Sequence, residues 1–181
     1  MVHCSTDFKK AFDSVHRPSL WKILTYYGIP DQFINILKAL YDNSSCCVKT
    51  ASGYTEFFEI VSGVCQGCIL SPFLFIIVID FVMCRTMDKL EYGIVWQKPN
   101  HLTDLDFAND IAIVVEVENV CQEMTTKLEE QSAQVGLNIS QEKTKAMGIT
   151  QRSSPLPIAV AQGNIEYVER FTYLGSVISS D

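Results

Sequence analysis

Apolar and polar residues alternate with a period that changes along the chain, and each change predicts an element. Leu20, Trp21, Ile23 and Leu24 recur at helical spacing behind Pro18, which suits a first helical turn, and Gly28 supplies a stop. Ile29-Pro30-Asp31 opens a second helix with Phe33, Ile34, Leu37, Leu40 and Tyr41 on one face. Cys46–Thr50 and Glu56–Val61, joined through Ala51-Ser52-Gly53, predict a hairpin. After the glycine-containing loop Ser62–Cys68, Ser71-Pro72 starts a long apolar helix that runs to about Leu90. Tyr92–Trp96 predicts a short strand. In Leu105–Val115 an apolar approach, a tight polar tip and a Val/Ile exit predict a hairpin displaying its carboxylate at the turn. Glu118–Val135 is an amphipathic helix stopped at Gly136, followed by a strand over Lys143–Ile149. Ile158–Val168, turning at Gly163-Asn164, and Phe171–Ile178 complete the chain as β-structure.

At the other end, Asp7–Val15 predicts a strand and its following turn, with no element before it, which suggests a fragment. Helices and strands mix without regular alternation, so the fold class is α+β and not a doubly wound sheet. There are no repeats, no low-complexity tract and no internal domain boundary. Ser153-Ser154-Pro155 comes nearest to a linker.

Composition narrows the function. The 181 residues are 48% hydrophobic and 19% charged, which is globular and enough for one substantial domain. The longest apolar run, Phe73–Met83, contains Asp80 and is too short to cross a bilayer, so no membrane partner is expected. The chain shows no secretory signal pattern. Seven cysteines without regular spacing, and no such signal, point to reduced thiols inside the cell. Net charge is −7: residues 1–50 hold six Lys/Arg against four Asp/Glu, and the rest hold eight against seventeen. An acidic chain is a poor nucleic-acid binder by bulk electrostatics, so any role on nucleic acid must rest on metal ions or on basic parts outside this sequence.

Two acidic positions far apart in sequence carry the candidate chemistry: Asp7 near the early strand and Asp110 at the hairpin tip. Carboxylates converging from separate strands suit a hard divalent cation with oxygen ligands. Two such ions about 4 Å apart can activate a hydroxyl and stabilise a leaving pyrophosphate. Spacing alone is equally met by two unrelated surface aspartates.

The combination of blocks is more specific. Asp7-Phe8-Lys9-Lys10-Ala11-Phe12-Asp13-Ser14-Val15 comes first, then Gly63-Val64-Cys65-Gln66-Gly67-Cys68-Ile69-Leu70-Ser71-Pro72, then Phe107-Ala108-Asn109-Asp110. Gly136-Leu137-Asn138-Ile139 with Lys143-Thr144-Lys145 follows, and Phe171-Thr172-Tyr173-Leu174-Gly175 closes the series. In this order they resemble the palm of reverse transcriptases, specifically those of non-LTR (LINE-type) retrotransposons, over nearly the whole chain, residues 1–181.

That resemblance implies an antiparallel palm sheet backed by helices, with fingers and thumb largely absent. It implies RNA-directed DNA polymerase chemistry: template-directed transfer from dNTPs to a primer 3′-hydroxyl with two Mg²⁺ ions, Mn²⁺ being possible. RNA template, DNA primer and dNTPs are the implied partners, and the nucleus the implied place. Asp7 would ligate metal together with the backbone of Phe8, and Asp110 would join them. Phe12 would be the steric gate that excludes a 2′-hydroxyl. Gln66 and Gly67 would contact the nascent base pair and template. Lys143 resembles the lysine proposed to protonate pyrophosphate. Phe171, Tyr173, Leu174 and Gly175 would grip the primer end.

The chain departs from the family pattern at its most sensitive place, where Asn109 stands for the first aspartate of Phe-Ala-Asp-Asp. The amide is nearly isosteric but carries no charge. At 4 Å and an effective dielectric of 20, attraction between unit charges is about 4 kcal/mol, and it is larger for a dication. With each ~1.4 kcal/mol worth tenfold in rate, a loss of several orders of magnitude is expected. Cys65, where relatives usually carry a basic residue, is a second departure. Asp104 and Asp106 precede the tip by too many residues to substitute. Two other readings stay open: a non-catalytic transposon relic or binding module, and a redox domain built on the Cys65-Gln66-Gly67-Cys68 C-x-x-C. No second Cys/His pair at ligand spacing supports a zinc site. His3, His16 and His101 are expected at the surface or in caps.

Overall fold

A computed structural model describes residues 1–87, 93–97, 100–148 and 156–179 of the chain. Its first element is a strand, β1 (Val2–Thr6), followed by a short helix α1 (Ala11–Ser14). The strand expected over Asp7–Val15 therefore lies ahead of Asp7. Val2, Cys4 and Thr6 are buried in the alternation of a strand, whereas Lys10 turns left-handed at φ 45° and ends extended structure.

Helices α2 (Arg17–Tyr26) and α3 (Asp31–Tyr41) follow where expected. Short ladders β2 (Ser45–Cys46), β3 (Lys49–Thr50), β4 (Gly53–Tyr54) and β5 (Phe58–Glu59) then form one hairpin, β2 against β5 and β3 against β4. The apolar helix α4 covers Ser71–Met87; its expected extension to Leu90 lies outside the described residues, as do Tyr92, Ile149 and Ser153-Ser154-Pro155. After β6 (Ile94–Gln97) and β7 (Asn100–Leu102) comes the tight hairpin β8 (Asp104–Phe107) and β9 (Asp110–Val115). Helix α5 (Glu118–Ala133) precedes β10 (Lys145–Gly148), β11 (Ala159–Val160), β12 (Gly163–Asn164), β13 (Glu166–Tyr167) and a last hairpin, β14 (Arg170–Tyr173) and β15 (Ser176–Ser179).

Five strands make the central sheet in the order β13-β10-β1-β9-β8, antiparallel except where β10 meets β13. Paired residues share a face, so the register sorts the side chains. Val2, Cys4 and Thr6 lie with Val115, Ile113 and Ile111 on one face, buried with Cys121, Met124 and Leu128 of α5. Phe75, Val78, Ile79 and Val82 of α4 belong to the same core. Fully burying one such side chain is worth about 1.5–3 kcal/mol, so this sheet–helix layer dominates stability. His3 and Ser5 lie with Val114 and Ala112 on the other face, which leads to Asp7 and Asp110.

Three expectations change here. On α3 only Ile34 and Tyr41 are buried, whereas Phe33 and Leu40 are 52% and 62% exposed. That helix packs chiefly on α2, so a narrow line of it is covered. Gly163-Asn164 is not a turn but strand β12; the chain reverses at Ala161-Gln162, and Gly163 instead lets Gln141 approach within 2.8 Å of where a Cβ would stand. His3 is not a surface residue: it is 6% exposed, while His16 and His101 are exposed. No helix among the described residues is long and apolar enough to cross a membrane.

Candidate active site

Asp7 stands just past the end of β1 and is tied down by backbone. Its carbonyl accepts the Ser140 N–H at 2.8 Å, its own N–H reaches Thr144 Oγ1 at 3.5 Å, and Lys9 N–H donates to the Asn138 carbonyl at 2.8 Å. These bonds bracket an isolated antiparallel bridge between Phe8 and Ile139. In that pattern the Phe8 carbonyl turns away from Ile139, toward the β9 side of β1. The Phe8 side chain is core, 1% exposed, so only its backbone is available to a ligand.

Across from Asp7, the two-residue turn Ala108-Asn109 presents Asp110. Ala108 takes φ 55°, a conformation L side chains rarely adopt, and such strain costs on the order of 1–3 kcal/mol held by the flanking ladder. Asn109 Nδ2 lies 3.4 Å from Asp7 Oδ1 and 3.3 Å from Asp110 Oδ1. An amide between two carboxylates presents its NH₂, because its carbonyl would be repelled. Lys143 Nζ lies 3.0 Å from Asp7 Oδ2. Burial and the neighbouring Asp7 push the Asp110 carboxyl above its usual range, and Lys143 offsets part of that.

These contacts decide whether a pair of divalent cations fits. One cation pair needs convergent negative oxygens, and here both Asp7 oxygens face donors of the chain itself while position 109 aims N–H groups inward. Among the described residues, no group of three or more His, Cys, Asp or Glu is placed to hold a metal ion. The donor set does not fit a two-ion centre. Asp104 and Asp106 cannot repair it: the register pairs them with Ile113 and Ile111, on the helix-facing side of the sheet. There desolvation of its carboxyl and the neighbouring Asp104 push Asp106, otherwise an exposed residue, up to about 7.

Phe12 stacks on Phe75 with ring centroids 4.4 Å apart and an interplanar angle of 16°. It is half-buried, and its carbonyl takes the Val64 N–H at 2.8 Å, so α1 and the glycine loop are fastened together. Gln66 Nε2 reaches Asp13 Oδ1 at 3.5 Å, and Gly67 is exposed at φ 85° with nothing within 4 Å of a Cβ position. The exposed Cys65 and Cys68 share this loop, where the Cys68 N–H donates to the Cys65 carbonyl ahead of α4, without βαβ surroundings.

Phe171, Tyr173, Leu174 and Gly175 belong to the β14–β15 hairpin, whose tip residues Leu174 and Gly175 both take positive φ, 48° and 81°. Phe171 is buried with its ring stacked on His3 at 4.5 Å, and Tyr173 Oη donates to the Leu105 carbonyl at 3.1 Å. That bond joins the hairpin to the strand leading into Asn109. Burial holds His3 well below its ordinary value, at about 4, so its imidazole is neutral under the hairpin.

Sequence reasoning missed three residues. His3 was indistinguishable from a surface histidine until its strand was placed. Gly63 is packed so that a Cβ would meet Asp13 O at 2.6 Å. Arg17, buried, donates to the Gly63, Tyr41 and Ile60 carbonyls at 2.9, 3.1 and 2.8 Å and to Ser44 Oγ at 3.1 Å. It binds α2 to the hairpin and to the glycine loop, and no periodicity signals such a role.

Residues 2–178 match the family model described as reverse transcriptase (RNA-dependent DNA polymerase). The retrovirus-related Pol polyprotein from the type-2 retrotransposable element R2DM of Drosophila melanogaster is 30% identical over 144 residues, covering 79% of this chain and 13% of that protein. The Pol polyprotein of the type-1 retrotransposable element R2 of Nasonia vitripennis is 26% identical over 185 residues, 96% of this chain and 18% of that protein. The chain thus spans less than a fifth of the length of these relatives. Among solved structures, apo telomerase from Candida tropicalis truncated from its C-terminal domain superposes with TM-score 0.70 at 16% identity, over 99% of this chain and 34% of that one.

Proposed function

Because the chain belongs to the reverse transcriptase (RNA-dependent DNA polymerase) family, we propose that it is the palm segment of a LINE-type retrotransposon polymerase whose nucleotidyl transfer is impaired. Members of that family generally use divalent metal ions. The observation that carries the proposal is the Asn109 amide set between Asp7 and Asp110, where the polymerase pattern needs a third charge.

What this chain's own residues retain is positioning. Phe12, propped on Phe75, would exclude a 2′-hydroxyl, as befits a deoxynucleotide site. Gln66 and the open backbone of Gly67 present hydrogen-bonding groups to a base pair and template strand. The β14–β15 hairpin, anchored through His3 and Tyr173, would hold a primer end beside Asp110. RNA template, DNA primer and dNTPs are the proposed ligands, Mg²⁺ the proposed ion of intact relatives, and the nucleus the proposed site of action. Lys143, 3.0 Å from Asp7, is the proposed pyrophosphate-protonating lysine.

The same amide, with a net charge of −7, favours one further reading: a non-catalytic relic that binds without chemistry. One experiment separates the two. The palm is grafted into a related polymerase carrying complete fingers and thumb, and primer extension on RNA template is measured beside its Asn109→Asp version. Extension only with the aspartate supports an otherwise sound palm stopped at one residue. Comparable extension with Asn109 refutes impairment, and extension by neither leaves the relic.

A further inference from the structure

Asp7 is not waiting for a counter-ion. Its Oδ2 holds Lys143 Nζ at 3.0 Å and its Oδ1 faces Asn109 Nδ2 at 3.4 Å, so both oxygens meet donors from the chain. The same amide nitrogen lies 3.3 Å from Asp110 Oδ1. Lys143 also acts on Asp110, drawing its carboxyl back down against burial and Asp7.

Lys143 is also delivered in place. The Ser140 N–H donates to the Asp7 carbonyl at 2.8 Å, the Thr144 N–H to the Ser140 carbonyl at 2.9 Å, and the Asp7 N–H to Thr144 Oγ1 at 3.5 Å. The turn that carries Lys143 is therefore anchored to the residue that Lys143 neutralises. Its side chain is 64% exposed against 23% for Asp7, so the ammonium is the more solvent-facing partner of the pair.

We propose that this centre is self-neutralised: Lys143 is the resident counter-ion of Asp7, Asn109 bridges Asp7 to Asp110, and a divalent cation binds only by displacing Lys143. The proposal rests on the palm reading and deepens it. Impairment at Asn109 removes one negative charge, whereas Lys143 cancels another, and the two effects are separable by mutation. Lys143 thereby acts as a positioning and charge-setting residue, in competition with metal.

The test uses the full chain and Mn²⁺ alone, with free Mn²⁺ followed by electron paramagnetic resonance at neutral pH and low salt. Lys143→Gln, which removes one positive charge from an exposed contact, is expected to tighten Mn²⁺ binding about tenfold. Lys143→Arg keeps the charge and is expected to match the parent. Asn109→Asp is expected to tighten binding independently, and the double variant to exceed either single one. In an Asp7→Asn background, Lys143→Gln is expected to gain little, because the carboxylate it frees is gone. Thermal melts of each metal-free variant report folding; all three positions are solvent-accessible or partly so, and a cooperative melt qualifies the binding data.

Unchanged Mn²⁺ affinity in folded Lys143→Gln overturns the proposal, as does a parent that binds Mn²⁺ as tightly as Asn109→Asp. Should Lys143→Gln not fold, Lys143→Met and the Asp7→Asn cycle carry the same comparison. Neither failure touches the palm reading, which the primer-extension assay of the grafted polymerase tests separately. An unresponsive Lys143→Gln beside a rescued Asn109→Asp polymerase would sink the self-neutralisation alone.

Discussion

Replacing Arg17 with alanine removes the one side chain that fastens three segments together. Its guanidinium serves the Gly63, Tyr41 and Ile60 carbonyls and Ser44 Oγ, and its carbon Cζ lies 4.9 Å over the Tyr41 ring. Adding four charge-assisted bonds at about 1.5–3 kcal/mol each would overstate the loss. Ser44 Oγ carries one proton, 2.8 Å from the Tyr41 carbonyl and 3.3 Å from the Ile60 carbonyl, so one of those acceptors keeps a partner. The Gly63 carbonyl loses its Arg17 partner, at about 1–3 kcal/mol. The cation–π contact adds about 1 kcal/mol, and removal of a buried cation that has no ion-paired carboxylate among the described residues gives part of this back. The balance is about 3 kcal/mol. For a chain of this size that is a fall in Tm of about 6–12 °C, read by calorimetry, with urea midpoints as a check. Arg17→Lys should recover part of it, one or two donors replacing a planar fork. The loosening should reach the glycine loop, because the Cys65 N–H donates to the hydroxyl of the same Tyr41 at 3.4 Å. Hydrogen exchange at 63–67 should therefore accelerate. A loss below about 1 kcal/mol, with exchange unchanged there, would refute the clamp.

Two further outcomes follow from the loop and from β1. Gly63→Ala places a Cβ 2.6 Å from the Asp13 carbonyl oxygen at φ 79°, whereas Gly67→Ala at φ 85° meets no atom within 4 Å. The first should cost at least about 3 kcal/mol and the second about 1, compared by urea unfolding; equal losses would mean the clash is relieved. His3, folded at about 4 against an unfolded 6.5, binds fewer protons when folded, so its contribution is fully present above pH 6.5 and lost as pH falls toward 4. The loss amounts to about 3 kcal/mol. Asp106, pushed up to about 7, works in the opposite sense, favouring the fold as pH falls through 7. The difference in stability between parent and His3→Phe across pH 4–7 isolates the histidine, and a flat difference would remove it from the account.

The hairpin over β8 and β9 was legible because both determinants are local: β-branched residues along one strand and a two-residue polar tip. Helices α2, α4 and α5 were legible from periodicity and from Pro18, Ser71 and Gly136 at their ends. What failed depended on partners. Phe33 and Leu40 have the spacing of a buried face, but whether a face is buried depends on what packs there, and α3 meets chiefly α2. The strand Val2–Thr6 is short and mixed, and it becomes a strand because β9 and β10 flank it. The site residues were found from ordered blocks, yet the pairing of Lys143 with Asp7 needed residues 136 positions apart to meet. Arg17 had no signal, since its acceptors are backbone carbonyls that look alike in any sequence.

The placement of β1 has a consequence for synthesis. Strand β1 is the middle of the sheet, and its partners, Ile111–Val115 on one side and Lys145–Gly148 on the other, are made after it. At about 5–20 residues per second, Lys145 leaves the ribosome roughly 7–28 s after Ser5, its partner. Within that interval β9 emerges first and can cover one edge of β1, but the other edge stays open until β10, and a nascent chain cut short before β10 never completes the sheet. A copy of this sequence interrupted by a stop codon ahead of Lys145 therefore loses more than its missing part: the strand that leads to Asp7 keeps an open edge as well.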